Sequence, residues 1–375
     1  MTPAKPSLEM LRALTDENVL RGLMAGRRLT RAEIASRTGI SKPTISDAVQ
    51  RLAASGLVID TGERTTGRGR SGSYYALGPD LGTALVASIS PSGVSAETVD
   101  ALGDTVERAS AVLGRNAGEH RAARALTEVA SRLAEPVPGR ARLAVVSAAD
   151  PVDRATGALV RLPDAPFLVG ALDPAAVLAP HVGGPVLVDN DVNWAARAER
   201  ESGCAAGVDD FVYVHLGEGL GCAVVTDGAV RRGHRGLAGE IAHVCTAGPD
   251  GTAMPLTEVF AALGLRRPDS TAVDVEALRA AVESGDGTAE VLARAVTGVL
   301  GAAVALADPA LVVLGGEWGR LPRMRTAIDR LLAHGPRPVR VATATVGAPE
   351  MTAARGRAVA ELRELIVRSA RPDGP

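Results

Sequence analysis

Apolar residues in the first sixty positions recur at the three- and four-residue intervals of amphipathic helices. The first run is predicted to end near Gly26, and its apolar positions are Leu8, Leu11, Leu14, Val19, Leu20 and Leu23. A second, shorter helix would turn Ile34 and Ala35 inward and stop at Gly39, because glycine lacks a Cβ and adopts left-handed backbone angles easily. The third helix has its apolar positions at Ile45, Val49 and Leu52.

Polar residues mark where the second and third helices begin. Thr30 and Glu33 form a capping box, in which the Thr30 hydroxyl accepts from the Glu33 amide and the Glu33 carboxylate accepts from the Thr30 amide. Ser41 caps the third helix, with Pro43 in its first turn, where a missing N–H has no consequence. Two short β patterns then flank a loop rich in glycine and arginine, residues 62–72. This order is typical of a winged helix-turn-helix, whereas a helix pair with a glycine turn alone also fits a generic bundle.

The predicted DNA contacts lie around the start of the third helix and at the tip of the hairpin. Hydroxyls and a cation on the helix suit base edges and phosphates in a major groove, and arginines at the tip suit phosphates or a minor groove. The predicted contacts are Arg31, Ser41, Lys42, Pro43, Thr44, Ser46, Arg68 and Arg70. Residues 1–77 hold twelve Lys and Arg against seven Asp and Glu, so this end is basic while the remainder is acidic.

From Pro79 onward, β patterns alternate with helical patterns, which predicts an α/β body. The predicted strands are 84–89, 142–147, 185–188, 211–216, 222–226 and 311–314. The predicted helices are 119–134, 192–202, 255–264, 273–283, 287–306, 322–334 and 352–369.

Composition narrows the class of protein. A chain of 375 residues, 46% of them hydrophobic, can bury large cores in two or three domains. It has no apolar run of eighteen residues and no signal-peptide pattern, so a soluble, cytoplasmic protein with no membrane partner is expected. Cys204, Cys222 and Cys245 lack paired spacing and are expected to be thiols.

Four segments of the body carry a family resemblance. They are VLVDNDVN at 186–193, VYVHLGEGLG at 212–221, RGHRGLAGEIAH at 232–243 and VVLGGE at 312–317. In order and spacing they resemble the ROK family of repressors, open reading frames and sugar kinases, in its xylose and N-acetylglucosamine repressor type. The resemblance implies an α/β fold: an N-terminal winged helix-turn-helix followed by a two-lobed, actin-like body that resembles ROK sugar kinases.

The implied domains are a DNA-binding domain at 1–78, a first lobe at 79–190 and a second lobe at 191–351. The C-terminal helix, 352–369, would return to the first lobe. The second lobe would supply the dimer contact and the effector cleft.

The resemblance also implies a set of sugar-binding residues: Asn190, Asp191, Glu240, His243 and Glu258. Asp191 matches the base that takes a proton from the sugar hydroxyl in the kinases. A carboxylate beside an amide can accept from and donate to neighbouring hydroxyls. Glu240 and His243 are three positions apart, so on a helical turn they would share one face. Taken singly, Asp191 could instead be a helix cap, and Glu240 and His243 a surface pair.

The phosphate-binding elements of the kinases are altered. The first turn lacks its aspartate and contains Pro91, which removes a backbone donor. Glu218 replaces a threonine in the second turn and places a carboxylate where a phosphoryl group would lie. Neither a nucleotide nor another cofactor is therefore expected. The family's zinc site retains only His243 and Cys245, too few ligands for a closed tetrahedral site, so no metal is expected.

These observations predict a DNA-binding transcriptional regulator, a repressor, that senses a sugar or sugar derivative without phosphorylating it and is not an enzyme. Its partners would be a double-stranded DNA operator, the sugar effector and further copies of the chain in a homodimer or homotetramer. Two alternatives remain open: an ATP-dependent sugar kinase that uses Asp191, and a ligand-free dimerisation scaffold that carries the DNA-binding head.

Overall fold

The computed structural model describes residues 7–65, 72–114, 117–134, 140–162 and 169–371. These residues form a small N-terminal head and two larger lobes, each built on a five-stranded sheet. Two of the predicted DNA contacts, Arg68 and Arg70, lie outside the described residues.

The head contains three helices and a three-stranded antiparallel sheet of order β1-β3-β2. Its elements are α1 (Leu8–Gly26), β1 (Arg28–Thr30), α2 (Arg31–Thr38), α3 (Lys42–Ala54), β2 (Val58–Arg64) and β3 (Ser73–Leu77). The predicted capping box is confirmed, since the Glu33 amide donates to Thr30 Oγ1 at 3.2 Å and the Thr30 amide to Glu33 Oε2 at 2.7 Å. Gly39 ends α2 with φ at 71°, and Ser41 caps α3. The caps of α2 and α3 thus lie at the residues that the local sequence predicts.

Only the second half of α1 is buried. Val19, Leu20 and Leu23 are fully enclosed, whereas Leu8 and Leu11 near its start are exposed. The buried half packs against α2 and α3. The helical spacing of the leucines therefore predicts the helix correctly, but it does not predict which of these side chains are buried.

The first lobe is a mixed sheet of order β6-β5-β4-β7-β8, in which β4, β7 and β8 are parallel and β5 and β6 antiparallel. Its elements are β4 (Ala84–Ser90), β5 (Gly93–Val99), β6 (Thr105–Val112), α4 (Glu119–Ala134), β7 (Leu143–Ala148), α5 (Pro174–Leu178) and β8 (Val186–Asn190). The sequence patterns missed β5 and β6. Most of β6 is exposed at the sheet edge, so its side chains lack the apolar run that marks the central strands.

The second lobe has a sheet of order β11-β10-β9-β14-β15 and a separate β12-β13 hairpin. Its first elements are α6 (Asp191–Ser202), β9 (Phe211–Leu216), β10 (Leu220–Thr226), β11 (Ala229–Val230), β12 (Cys245–Ala247), β13 (Ala253–Pro255) and α7 (Leu256–Ala262). The later ones are α8 (Val275–Ser284), α9 (Thr288–Ala307), β14 (Leu311–Gly315), α10 (Pro322–Ala333) and β15 (Arg340–Thr343). Of the helices in the described ranges, α9 is long and apolar enough to cross a bilayer, but its residues Leu292, Val296 and Leu300 are buried in the core of this lobe.

The last helix, α11 (Pro349–Ser369), leaves the second lobe and packs on β4 and β7 of the first lobe and on α6. Leu362 and Ile366 of α11 belong to a hydrophobic cluster that also contains Leu20 and Leu23 of the head. The head, α11 and one face of the first-lobe sheet therefore share one apolar core.

Candidate ligand cleft and nucleic-acid interface

A cavity of about 650 Å³ opens between the two lobes. The first lobe contributes the ends of β4, β7 and β8, including Ser88, Asp150 and Asn190. The second lobe contributes the β9–β10 turn and residues 236–243. Its size suits a ligand of the dimensions of a sugar, and its walls come from strand ends, where α/β proteins place their ligands.

Asn190 and Asp191 stand where β8 turns into α6. Asn190 is the N-cap: its Oδ1 accepts from the Val192 amide at 3.0 Å, while its Nδ2 donates to the backbone oxygens of Ala148 and Asp150, both at 3.3 Å. The Asn190 amide thus ties the end of β8 to the end of β7. Asp191 follows the cap as the first helical residue and lines the cavity.

Beneath this turn lies a charged network around Asp189. The buried Asp189 carboxylate accepts from the Asn193 amide group at 2.9 Å and pairs with Arg197 at 2.8 Å and Arg232 at 3.2 Å. Arg232 belongs to the segment that leads to Glu240, so the network joins α6 to the second-lobe wall of the cavity. Sequence reasoning named Asp189 only as part of a motif, because its two arginine partners lie eight and forty-three positions away.

Glu240 and His243 both line the cavity, but not from a helix. The backbone here is irregular rather than a helical turn, and it contains Gly236 and Gly239 at positive φ. A Cβ on Gly239 would lie 1.7 Å from the Cys222 backbone oxygen, and one on Gly236 would lie 2.0 Å from that of Val152. Only glycine therefore fits at these two positions, and the loop that they shape delivers both side chains to one cavity.

Three carboxyl groups of the cavity have raised pKa values. Removal from bulk water raises the pKa of Asp150 to about 7, with a further contribution from the charge of Glu240. Desolvation raises the pKa of Asp191 to about 7, opposed by the Val192 amide hydrogen bond and supported by the neighbouring carboxylates. Solvent reaches Glu240 through the open cavity, yet the surrounding protein raises its pKa to about 7 as well.

Asp150 was not among the predicted site residues. It follows β7 in a turn with Pro151 and is only 3% exposed, although it lines the cavity. A short acidic residue after a buried strand was visible in the sequence. Its proximity to Glu240 depends on how the two lobes meet, which local patterns do not encode.

Glu258 does not line this cavity. It lies in the first turn of α7 and pairs with Arg266 at 2.8 Å, half exposed to solvent. Its neighbour Thr257 is buried and lines the cavity instead. Successive helical residues point about 100° apart, so a one-residue difference is enough to remove a side chain from the wall.

The side of the cleft that corresponds to the kinase phosphate turns is polar and acidic. The β4–β5 turn closes on itself through Ser90 and Ser92, whose hydroxyl oxygens are 2.8 Å apart. Glu218 in the β9–β10 turn pairs with Arg267 at 3.2 Å. Glu317 follows Gly316, and His215 lies at the end of β9, where burial lowers its pKa. A phosphate group placed here would meet the carboxylates of Glu218 and Glu317.

No group of three or more His, Cys, Asp or Glu side chains within the described ranges is arranged to hold a metal ion. His243 and Cys245, the remnants of the zinc motif, are both exposed. The donor set therefore does not fit the family's zinc.

The predicted DNA contacts on α3 occupy its solvent-facing first turn. Ser41, Lys42, Pro43 and Thr44 are exposed and Ser46 is half-buried. The hydroxyl oxygens of Ser41 and Thr44 are 2.7 Å apart, and Ser41 Oγ also accepts from the Thr44 amide. This turn presents a cation and two hydroxyls on a rigid, capped helix end.

Arg31 lies at the start of α2, beside the sheet of the wing. Its guanidinium group is 4.9 Å from the centre of the Tyr75 ring. The wing arginine Arg64 pairs with Asp60 at 3.0 Å, and Arg28 pairs with Glu63. Several cations of the described wing are thus held by neighbouring carboxylates, whereas Lys42 on α3 projects into solvent.

Fold and cleft together define an actin-like, two-lobed protein with a winged-helix head. The sequence model of the ROK family matches residues 116–358, and that of the MarR family matches residues 18–69. The chain belongs to the ROK family. The resemblance inferred from its four motifs is confirmed, as is the predicted fold class.

Curated relatives include regulators and kinases. The xylose repressor of Caldicellulosiruptor bescii is 21% identical over 237 residues, which cover 62% of this chain and 59% of that protein. The bifunctional enzyme NanE/NanK of Brucella suis biovar 1 is 33% identical over 144 residues, 37% of this chain and 27% of the enzyme. The chain thus matches between 27% and 59% of the length of these relatives.

Solved structures that share the fold include a regulator and a kinase. A ROK family transcriptional regulator, a homologue of the E. coli MLC protein, superposes with a TM-score of 0.62 at 18% identity, covering 96% of this chain and 99% of the other. The ROK hexokinase of Thermus thermophilus superposes with a TM-score of 0.57 at 26% identity, covering 75% of this chain and 99% of the hexokinase. The regulator covers the head as well as the body, whereas the hexokinase covers about the length of the body.

Proposed function

We propose that this protein is a cytoplasmic transcriptional repressor whose head binds a double-stranded DNA operator and whose body binds a sugar effector without phosphorylating it. One observation carries the proposal. The exposed start of α3, whose side chains suit DNA, belongs to a head that shares its apolar core with α11, the helix that starts at the cleft. The likeness to a protein named xylose repressor and to a ROK transcriptional regulator supports it. The functional units are residues 1–78, 79–190 and 191–351, with α11 returning to the first lobe.

On DNA, α3 would lie in the major groove with Ser41, Lys42, Thr44 and Ser46 facing base edges and phosphates. Arg31 would contact the backbone, and Arg68 and Arg70 of the wing would reach an adjacent phosphate or the minor groove. Pro43 would fix the first turn of α3 against the groove. Two heads in a homodimer would match a pseudo-palindromic site, and a homotetramer would pair two such sites.

The effector would bind in the cleft between Asp191, Glu240 and His243, with Asn190 holding the turn that presents Asp191. Glu258 would act only through the Arg266 pair outside the cavity. Glu350, in the first turn of α11, also lines the cavity, and further along the same helix Glu364 pairs with Arg21 of the head at 2.7 Å. A ligand that favours one arrangement of the lobes would thereby favour one position of the head.

Fluorescence anisotropy with the DNA upstream of the protein's own gene tests the proposal, with random DNA of equal length for comparison. We expect specific binding that changes at least tenfold in the presence of one sugar or sugar derivative. The variant Lys42→Ala should weaken binding, whereas Arg325→Ala, which removes an exposed cation from the second lobe, should not. Binding no tighter than to random DNA would contradict the repressor function.

A sugar kinase is the second candidate, and the position of Asp191 in the cleft favours it. In a coupled ATP-turnover assay with a panel of sugars, we expect no turnover above background, because Glu218 and Glu317 face the phosphate side of the cleft. ATP turnover that is lost in the Asp191→Asn variant would show that the protein is a sugar kinase and not a sensor.

A further inference from the structure

The lining of the cleft is predominantly acidic. Six carboxylates line it, and among the described lining residues none is lysine or arginine. They are Asp150, Asp191, Glu218, Glu240, Glu317 and Glu350. An ionised carboxylate only accepts hydrogen bonds, and its strongest partner is a positively charged donor. The excess of negative groups therefore bears on the charge of the ligand, which the proposed sugar class does not specify.

Asp150 is the most informative of the six. It is 3% exposed and faces the cavity, yet no side-chain or backbone donor within the described part of the chain hydrogen-bonds to its carboxylate. Buried carboxyl groups normally have such partners, because leaving one unpaired costs several times the energy of an ordinary hydrogen bond. Because the Asp150 carboxylate faces the cavity, a bound molecule with donor groups can supply the hydrogen bonds that the described residues do not.

Asp191 and Glu240 reinforce this argument. Each is close enough to Asp150 for their charges to disfavour one another. Asp150 of the first lobe and Asp191 at the start of α6 thus line the same cavity as Glu240 of the second lobe, with no lysine or arginine among the described lining residues. A positively charged donor between them would satisfy all three at once.

We propose that the effector carries a protonated amino group, as an amino sugar with a free amine does, and that Asp150, Asp191 and Glu240 bind this group. An ammonium group has three donors and no acceptor, which matches three carboxylates. The sugar hydroxyls would then bind to the remaining polar wall, including His243 and Thr257. The inference rests on the proposed sensor function and specifies its ligand class.

The same charges act against other sugar derivatives. N-acetylation removes the positive charge and leaves the carboxylates without a cation. Phosphorylation adds negative charge, which would meet Glu218, Glu317 and Glu350 in the rest of the cleft. The site therefore disfavours the N-acetylated sugar because its carboxylates stay unpaired, and it disfavours the phosphorylated sugar because like charges repel.

Isothermal titration calorimetry with the full chain tests the proposal. The probes are glucosamine, galactosamine and mannosamine, each compared with its N-acetyl form and its parent neutral sugar at the same pH and ionic strength. We expect at least one free amine to bind ten or more times more tightly than both counterparts. Asp150→Asn should remove most of that preference, whereas Glu107→Gln, an exposed carboxylate on β6 of the same lobe, should preserve it.

DNA anisotropy on the same samples separates this proposal from the sensor function. If a neutral or N-acetylated sugar binds as tightly as its amine and alters DNA affinity, the amino-group proposal is overturned and the sensor function stands. If the amine preference is present but survives Asp150→Asn, the assigned contact is wrong. If none of the probes binds although the operator does, both the amino-sugar ligand and the sugar-sensing half of the function fail. Circular dichroism of each variant verifies that it is folded.

Discussion

The exposed start of α3 and the cleft between the lobes are opposite in charge and in enclosure. The α3 turn is open to solvent and presents Lys42 beside hydroxyl groups. The cleft encloses about 650 Å³ and is dominated by carboxylates. A polyanion is thus attracted to one end of the molecule and repelled from the other, so a single chain keeps two ligands of different charge in separate places.

The two regions also differ in how they are held. The α3 turn depends on a cap within three residues and on a small helical core. The cleft depends on segments far apart in the chain, joined by the Asp189 network and the Asn190 cap. Local changes should therefore damage the head in predictable steps, whereas changes in the cleft should act through the other lobe.

The largest effect is expected from the head core. Ile45→Ala removes most of a fully buried side chain on α3 and should lower the free energy of unfolding by about 2–4 kcal/mol. Urea denaturation measures this loss, and DNA affinity should fall with it because α3 loses its support. Ile45→Val is the matched control, with an expected cost of about 0.5–1.5 kcal/mol. Equal effects of the two variants would mean that the site is not tightly packed.

The next effect concerns Asp150 and depends on pH. Its pKa is raised to about 7 in the folded protein, so the folded state holds a proton that the unfolded state releases near pH 4. Its contribution to stability is thus present below pH 4 and is lost as the pH rises to about 7. Asp150→Asn abolishes this loss and should be more stable than the native chain by about 1–3 kcal/mol at pH 8 but not at pH 4.

Thermal melts between pH 4 and pH 8, without ligand, provide the measurement. The difference in melting temperature between Asp150→Asn and the native chain should grow with pH, while Glu107→Gln should show no such trend. A difference that is constant across the range would indicate that Asp150 is ionised throughout, and the cleft would be less desolvated than its geometry implies.

A smaller effect is expected for Lys42 on DNA. Lys42→Ala should cost about 1 kcal/mol of binding free energy and lower the slope of log affinity against log salt by about 1, because one phosphate contact is lost. Anisotropy titrations at four salt concentrations measure both quantities. An unchanged slope, equal to that of the Arg325→Ala control, would place α3 away from the phosphates.

The smallest effect joins the two regions. Arg21 of α1 and Glu364 of α11 pair at 2.7 Å on the surface, so their interaction should contribute less than about 1 kcal/mol to stability. A double-mutant cycle with Arg21→Gln and Glu364→Gln measures it. The informative readout is ligand response: in the double variant the effector should alter DNA affinity less than in the native chain. A full response would show that the shared apolar core alone transmits the signal.

The sequence predicted the head in detail and the cleft only in part, for physical reasons. Thr30, Gly39 and Ser41 act on neighbours within four positions, so their structural effect can be inferred from residue type alone. The electrostatic environment of Asp150 depends on Glu240, which lies ninety positions later in the chain and in the opposite lobe. The spacing of Glu240 and His243 predicts a shared face only on a helical turn, whereas the structure brings them together on a loop that lies close to β10.

Helix α11 is long enough to turn a small rotation at the cleft into a larger displacement near the head. Its 21 residues extend over about 31 Å at a rise of ~1.5 Å per residue, from Glu350 at the cleft to the neighbourhood of α1. Because the helix is rigid, a tilt of about 5° at the cleft end would displace the far end by about 3 Å, close to the rise of one base pair, ~3.4 Å. A small rearrangement around a ligand would then be enough to put a recognition helix out of register with its base pairs.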